Sequence, residues 1–402
     1  MDGNSPASGL DAIRETARAW LAENFPAELA GRAPIMGQRD LDGDPAFETW
    51  KTALCGQGWG VPTWPAAYGG GGLSPAEARV VREEIRKVGG WNPIGWSMGV
   101  RMLGPTLLEF GDETQKQTHI PLIARGEARW CQGYSEPGAG SDLASLQTKA
   151  EDMGDHFLVR GQKIWTSGAQ YADWCFCLVR TDTSKKHEGI SFLLIDMRSP
   201  GIEVRPIRLI SGTSPFCETF FTDVRVPKEN LVGPLNGGWT VGKRLLQYER
   251  QRSEDAPARA GEARSLAEVA REYVSLDAQG RLADSDLRKR ITDHLMERHA
   301  FRLTMERAAA AGSANGPSAT TSILKNVSSK VTQERSELLL EIMGHRGLGL
   351  EGEGYSQEET ATVREWLSGK ATTIFAGSYE IQNNIISKRI LGLPDPSGSA
   401  EK

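Results

Sequence analysis

The hydrophobic period of this chain changes twice, and that limits its folds more than any single motif does. From about Asp11 to Arg129 apolar residues recur at helical spacing, with Ile13, Ala17, Trp20 and Leu21 on one stripe. Residues Gly56 to Gly72 form an irregular Gly- and Trp-rich segment. A further helix is expected at Ala76–Val81, after the Gly69–Gly72 run and the start signal Ser74-Pro75. From about Trp130 to Gly233 the pattern shortens to Phe157–Val159, Trp174–Val179, Ile190–Ile195, Ile202–Val204 and Thr219–Phe221. Gly, Asp, Ser or Pro separates these runs, which predicts a compact antiparallel barrel or sandwich. Helices return from Trp239, with a loop of small residues at Gly312–Ser318 and a frayed tail from Pro394. The expectation is an α+β multidomain protein: a helical domain over 1–129, an antiparallel β domain over 130–234, a helical domain over 235–393 and a tail over 394–402. Boundaries between such layers form clefts suited to a cofactor.

A length of 402 residues suits two or three packed domains. The formal net charge of −5 argues against a nucleic-acid surface, which needs a basic stripe. Arg288-Lys289-Arg290 sits among mixed charges and reads as a solvated helix face. The cysteines at 55, 131, 175, 177 and 217 make no disulfide framework and no metal set, so a reducing cytoplasm is expected. Cys175 and Cys177 share one strand face. Leu10–Phe25 carries charges throughout and is no export signal, and no segment is apolar enough to span a bilayer. Asp40-x-Asp42-x-Asp44 fails as a calcium loop, because Pro45 and Lys51 occupy its Gly and Glu positions.

Two motifs carry chemistry. Gly133-Tyr134-Ser135-Glu136-Pro137-Gly138-Ala139-Gly140-Ser141-Asp142 stands where helix gives way to strand. Its small residues let backbone N–H groups approach a ligand, and Ser135 and Ser141 add hydroxyls. Taken alone it reads first as a tight turn. It is neither a phosphate loop ending in Gly-Lys-Ser/Thr nor a nucleophile elbow. Gly161-Gln162-Lys163-Ile164-Trp165-Thr166-Ser167-Gly168 follows, in which an indole beside two hydroxyls could cover an aromatic ring and bond its edge. By itself Trp165 is more often a core or turn aromatic.

Together with Val224-Arg225-Val226-Pro227 and Gly377-Ser378-Tyr379-Glu380-Ile381-Gln382, these motifs resemble the acyl-CoA dehydrogenase family, over most of the chain from Trp59 to Leu393. The resemblance implies a C-terminal four-helix bundle, FAD as cofactor, an acyl-CoA oxidised to the trans-2-enoyl-CoA, and an acceptor such as an electron-transfer flavoprotein. Gln132, Tyr134 and Ser135 would lie along the flavin ring, Trp165 would shield it and Ser167 would bond near its reactive nitrogen. Ser378 and Glu380 would complete the cofactor set, while Ser141 and Arg250 would face the substrate. Many family members place the catalytic Glu immediately before the C-terminal Gly-Thr/Ser; here that residue is Ala376, which keeps only its backbone N–H. Other members carry the base in a Glu-Arg pair early in the C-terminal domain, and Glu249-Arg250 stands there. Val241, Leu245 and Glu249 are spaced by four, so the carboxylate extends an apolar stripe, although it also fits a surface Glu paired with a cation.

The family's Arg-x-x-Phe-Gly motif is missing at Gln279–Asp284, and its Gln-x-x-Gly-Gly run reads Glu341-Ile342-Met343-Gly344-His345-Arg346-Gly347. His345 reads as packing. Two assemblies follow: a heterotetramer with a homologous subunit that supplies the Arg, or a homo-oligomer in which Arg281 or Arg346 takes over. A non-catalytic subunit and an acyl-CoA oxidase are the competing readings.

Overall fold

The computed structural model describes residues 9–32, 41, 43–250, 264–315 and 321–394. It divides into two compact units. The first comprises 1–207 and 214–263, the second 208–213 and 264–402.

The first unit opens with helices α1 (Gly9–Asn24), α2 (Pro45–Gly56), α3 (Pro75–Lys87), α4 (Gly104–Phe110) and α5 (Glu113–Ala124). Their starts follow local chemistry. Ser74 and Glu77 form a reciprocal capping box on α3, and Asp112 and Gln115 do so on α5. Asp44 caps α2 through the N–H groups of Ala46 and Phe47; Asp40 and Asp42 of the rejected calcium loop lie outside the described residues. Ala17 and Leu21 of the expected stripe are buried with Trp50, Leu54 and Val81. The irregular Gly56–Gly72 segment packs closely: a Cβ on Gly104 would stand 1.9 Å from the Trp64 ring.

Strands β1 (Trp130–Gly133), β2 (Lys149–Asp152), β3 (His156–Ser167), β4 (Trp174–Arg180), β5 (Ile190–Asp196), β6 (Ile202–Ile207) and β7 (Phe216–Pro227) follow. They form one sheet in the order β1-β4-β2-β3-β7-β6, with β5 also on β4. Pairing is mainly antiparallel as expected, but β1 and β2 both pair β4 in parallel, each joined to it by a connection long enough to cross over. One face buries Cys131, Cys175, Cys177, Val159 and Phe221; the other packs Phe176, Leu178 and Phe192 on the helices. All five cysteines are buried free thiols. Helix α6 (Gly238–Arg250) ends the described part of this unit, with Val241 and Leu245 fully buried.

The second unit holds α7 (Leu266–Tyr273), α8 (Ser285–Asn315), α9 (Thr321–Met343), α10 (Gln357–Gly369) and α11 (Tyr379–Ile385). Leu266, Val269, Leu287, Ile291, Leu338 and Ile342 form its core. Helix α8 runs on to Asn315, so the small residues from Gly312 are helical rather than a loop. The Ala308–Ala311 run carries the helix through them, since Ala is the strongest helix former. The remainder of the expected loop, 316–318, and the tail from 395 lie outside the described residues. Arg290 is not merely solvated: both its terminal nitrogens bond Glu341 on α9 at 2.6 Å. No helix among the described residues is long and apolar enough to cross a membrane.

Candidate active site

The cofactor-facing residues expected in the first unit lie on two adjoining segments. Gln132 is half-buried on β1, opposite Phe176 of β4. Ser135, half-buried one residue beyond Tyr134, accepts the Ile164 N–H at 2.9 Å through its carbonyl. Across from it the β3–β7 ladder breaks between Lys163 and Thr166. In that bulge Trp165 adopts φ +61°, a left-handed conformation uncommon outside Gly. Its indole is 53% exposed, backed edge-on by Phe216 at 6.0 Å. Ser167 follows, half-buried at the end of β3. A Cβ added at Gly138, Gly140 or Gly168 would meet nothing. An exposed indole, two hydroxyls and an amide, beside open glycines, fit a planar ring with an apolar face and a polar edge, which describes a flavin. Ser141 is exposed at the far end of the loop, and its neighbour Asp142 is paired with Lys186 at 2.8 Å.

The Tyr134 phenol points into the core, edge-on to Phe176 and Phe192, and its hydroxyl has no hydrogen-bond partner among the described residues. Burial, and then the charge of Glu249, push that phenol well above its ordinary pKa. Gly242 of α6 packs on the same hydroxyl: a Cβ there would stand 3.3 Å from it.

Glu249 is half-buried one turn beyond the buried Leu245, at the end of the expected stripe. Helix α6 is clamped nearby by Glu109 of α4, which bonds Arg244 at 2.7 Å and Tyr248 at 2.6 Å. Arg101 lies in a π-helical turn at Gly99–Leu103, with its guanidinium over the Trp96 ring at 5.1 Å. It reaches the Glu249 carbonyl at 3.5 Å. Burial lowers the Arg101 pKa and the Glu249 charge opposes that shift. Arg250 closes α6, and its side chain lies outside the described residues. Arg101 and Glu109 carry no motif and become visible only through the packing of α4 and α6.

In the second unit Ala376 is exposed with φ +54°, followed by Gly377 at φ +92°. The segment before it is held by α9: Ser329 donates to the Thr372 carbonyl at 2.9 Å and Gln333 to the Gly369 carbonyl at 3.0 Å. Lys325 also donates to Thr372 and covers the Phe375 ring at 5.4 Å. Ser378 caps α11, accepting the Ile381 N–H at 3.4 Å, and its hydroxyl holds the exposed Glu380 carboxyl below the usual range. Arg281 is paired with Asp277 at 2.9 Å and Arg346 with Glu359 at 3.0 Å.

Comparison with known proteins identifies the family. Models of the acyl-CoA dehydrogenase N-terminal, middle and C-terminal domains match residues 9–127, 131–224 and 236–391. The acyl-CoA dehydrogenase IpdE1 of Mycobacterium tuberculosis is 35% identical over 96% of this chain and 98% of its own. Among solved structures, a chain of the ChsE4–ChsE5 complex from Mycobacterium tuberculosis is 30% identical with a TM-score of 0.74, covering 98% of this chain and 100% of that one. A chain of the Tcur3481–Tcur3483 steroid ACAD is 30% identical with a TM-score of 0.71, over 98% of this chain and 100% of that one.

Proposed function

The chain belongs to the acyl-CoA dehydrogenase family, flavin-dependent oxidoreductases that use FAD, and on that premise we propose that Glu249 is its catalytic base and that its substrates are bulky acyl-CoA thioesters. The observation that carries this reading is the carboxylate at the end of the α6 apolar stripe, in a chain whose usual base position holds Ala376.

Bound FAD would supply the acceptor for a hydride from the substrate's β carbon. Gln132, Ser135 and Ser167 would hold its polar edge and Trp165 would cover its ring. Glu249 accepts the proton from the α carbon and becomes neutral, and the electron pair left behind delocalises onto the thioester oxygen. The Ala376 N–H, which donates to no group among the described residues, is the proposed donor to that oxygen. Ser378 and Glu380 are proposed on the cofactor side, Ser141 and Arg250 on the CoA side. Loss of both hydrogens leaves the trans-2-enoyl-CoA, with electrons passed on to an acceptor such as an electron-transfer flavoprotein.

Two relatives support the finer reading. One bears the name steroid ACAD, and another is a complex of ChsE4 with ChsE5. We infer a bulky, ring-bearing acyl group and a homologous partner chain. Both arginines that could replace the missing Arg-x-x-Phe-Gly cation are already paired, which favours a partner that supplies the diphosphate contact. The test is a panel of acyl-CoAs with an artificial electron acceptor, using protein expressed alone and co-expressed with a homologous chain of the same family. Ring-bearing thioesters should exceed straight-chain ones in kcat/KM. Turnover confined to straight chains would exclude the assignment.

A further inference from the structure

The two cofactor-facing segments are joined by a buried ion pair that the reaction does not use. Lys163 on β3 is completely buried, and its Nζ donates to Glu136 at 2.7 Å and to the Tyr134 carbonyl at 3.1 Å. Glu136 also accepts the N–H groups of Gln147 at 2.6 Å and Thr148 at 2.9 Å. Burial would push the Glu136 carboxyl up, but the Lys163 charge and these hydrogen bonds outweigh it and hold it below the usual range. The next residue along β3 repeats the link, since the Ile164 N–H goes to the Ser135 carbonyl at 2.9 Å instead of to β7. Consecutive carbonyls of one segment are therefore held by consecutive residues of the other. The bulge that results puts Trp165 out at φ +61°.

A buried ion pair adds little net stability over an apolar pair of similar volume, so stability alone gives no reason for one here. Position does: Lys163 is the group that ties the Tyr134 backbone to the strand carrying Trp165 and Ser167. We propose that the Lys163–Glu136 pair is a positioning device, which fixes the spacing between Ser135 and Trp165 so that both meet the same flavin. This rests on the reading that FAD lies along Gln132–Ser135 and Trp165.

The test uses the holoprotein, with any partner it requires, and compares Lys163→Met, the double variant Lys163→Met/Glu136→Leu, and Trp165→Ala. FAD affinity, the visible flavin spectrum and Tm are measured for each. Lys163→Met should weaken FAD binding about tenfold or more, the scale of one lost charge-assisted hydrogen bond. The double variant should regain Tm, because no buried charge is left unpaired, yet keep the weakened binding and altered spectrum. It also decides the matter if Lys163→Met does not fold. A double variant with wild-type affinity and spectrum would reduce the pair to a structural role and overturn the proposal. Trp165→Ala separates the two levels. If it alters the spectrum while the pair variants do not, only the positioning role falls. If it leaves affinity and spectrum unchanged, the FAD placement and the proposal fall together.

Discussion

His119 and Tyr134 are both buried polar side chains with an atom lacking a partner among the described residues, and they differ in what pH does to them. The His119 ring lies edge-on to Trp130 and Trp174, with centroids at 5.3 and 4.9 Å, and burial lowers its pKa. The unfolded chain takes up a proton near the ordinary value of about 6.5, and the folded chain resists until the pH is lower. Stability is therefore full above that value and is lost as pH falls through the interval down to the depressed folded pKa. Tm measured between about pH 7.5 and 5.5 should fall more steeply for the wild type than for His119→Phe. Parallel curves would refute the assignment. The Tyr134 phenol has its pKa raised, so it stays neutral throughout this range. Glu249, by contrast, is only half-buried.

At the level of elements, packing at one glycine fixes how α4 meets the irregular segment before it. A Cβ at Gly104 would overlap the Trp64 ring, so Gly104→Ala should cost about 1–3 kcal/mol, read as a lower urea midpoint. An unchanged midpoint would mean that the ring has room to move. Much of this layout was legible in the chain. The Ser74-Pro75 signal marks α3, the five apolar runs fall within β3 to β7, and the Val241–Leu245–Glu249 spacing reads correctly as a stripe ending in a carboxylate. The four-residue strands β1 and β2 were not legible, because a strand that short carries too little alternation to stand out. Nor was the helical character of Gly312–Asn315, where an alanine run overrides small-residue composition. Lys163 was missed although a signal existed: it continues the inward face of Phe157 and Val159 past the bulge at Gly161, and an inward lysine calls for a buried acid. Trp165 and Ser167 stand out only through their neighbours in sequence, whereas the left-handed backbone that exposes the indole has no sequence signal of its own.

For the whole molecule, the proposed flavin-ring contacts all belong to the first unit, and the sequence motif that the family uses at the diphosphate is missing from the second. The first unit keeps Gln132, Ser135, Trp165, Ser167 and Glu249. The second lacks the family's arginine, and its candidate substitutes are already paired. Protein expressed alone should therefore hold clearly less than one FAD per chain, and co-expression with a homologous subunit should give one FAD per unlike pair, read by absorbance and light scattering. One tightly held FAD per chain in a pure homo-oligomer would rule out the heteromeric assembly. The reaction itself is tested most directly by anaerobic mixing of the FAD-loaded enzyme with a turned-over acyl-CoA while the flavin's visible absorbance is followed. Wild-type protein should bleach rapidly. Glu249→Gln should keep its flavin and still bind acyl-CoA, yet bleach about two to four orders of magnitude more slowly, the usual cost of losing a general base. Bleaching of Glu249→Gln at a near-wild-type rate would contradict the assignment of Glu249 as the base.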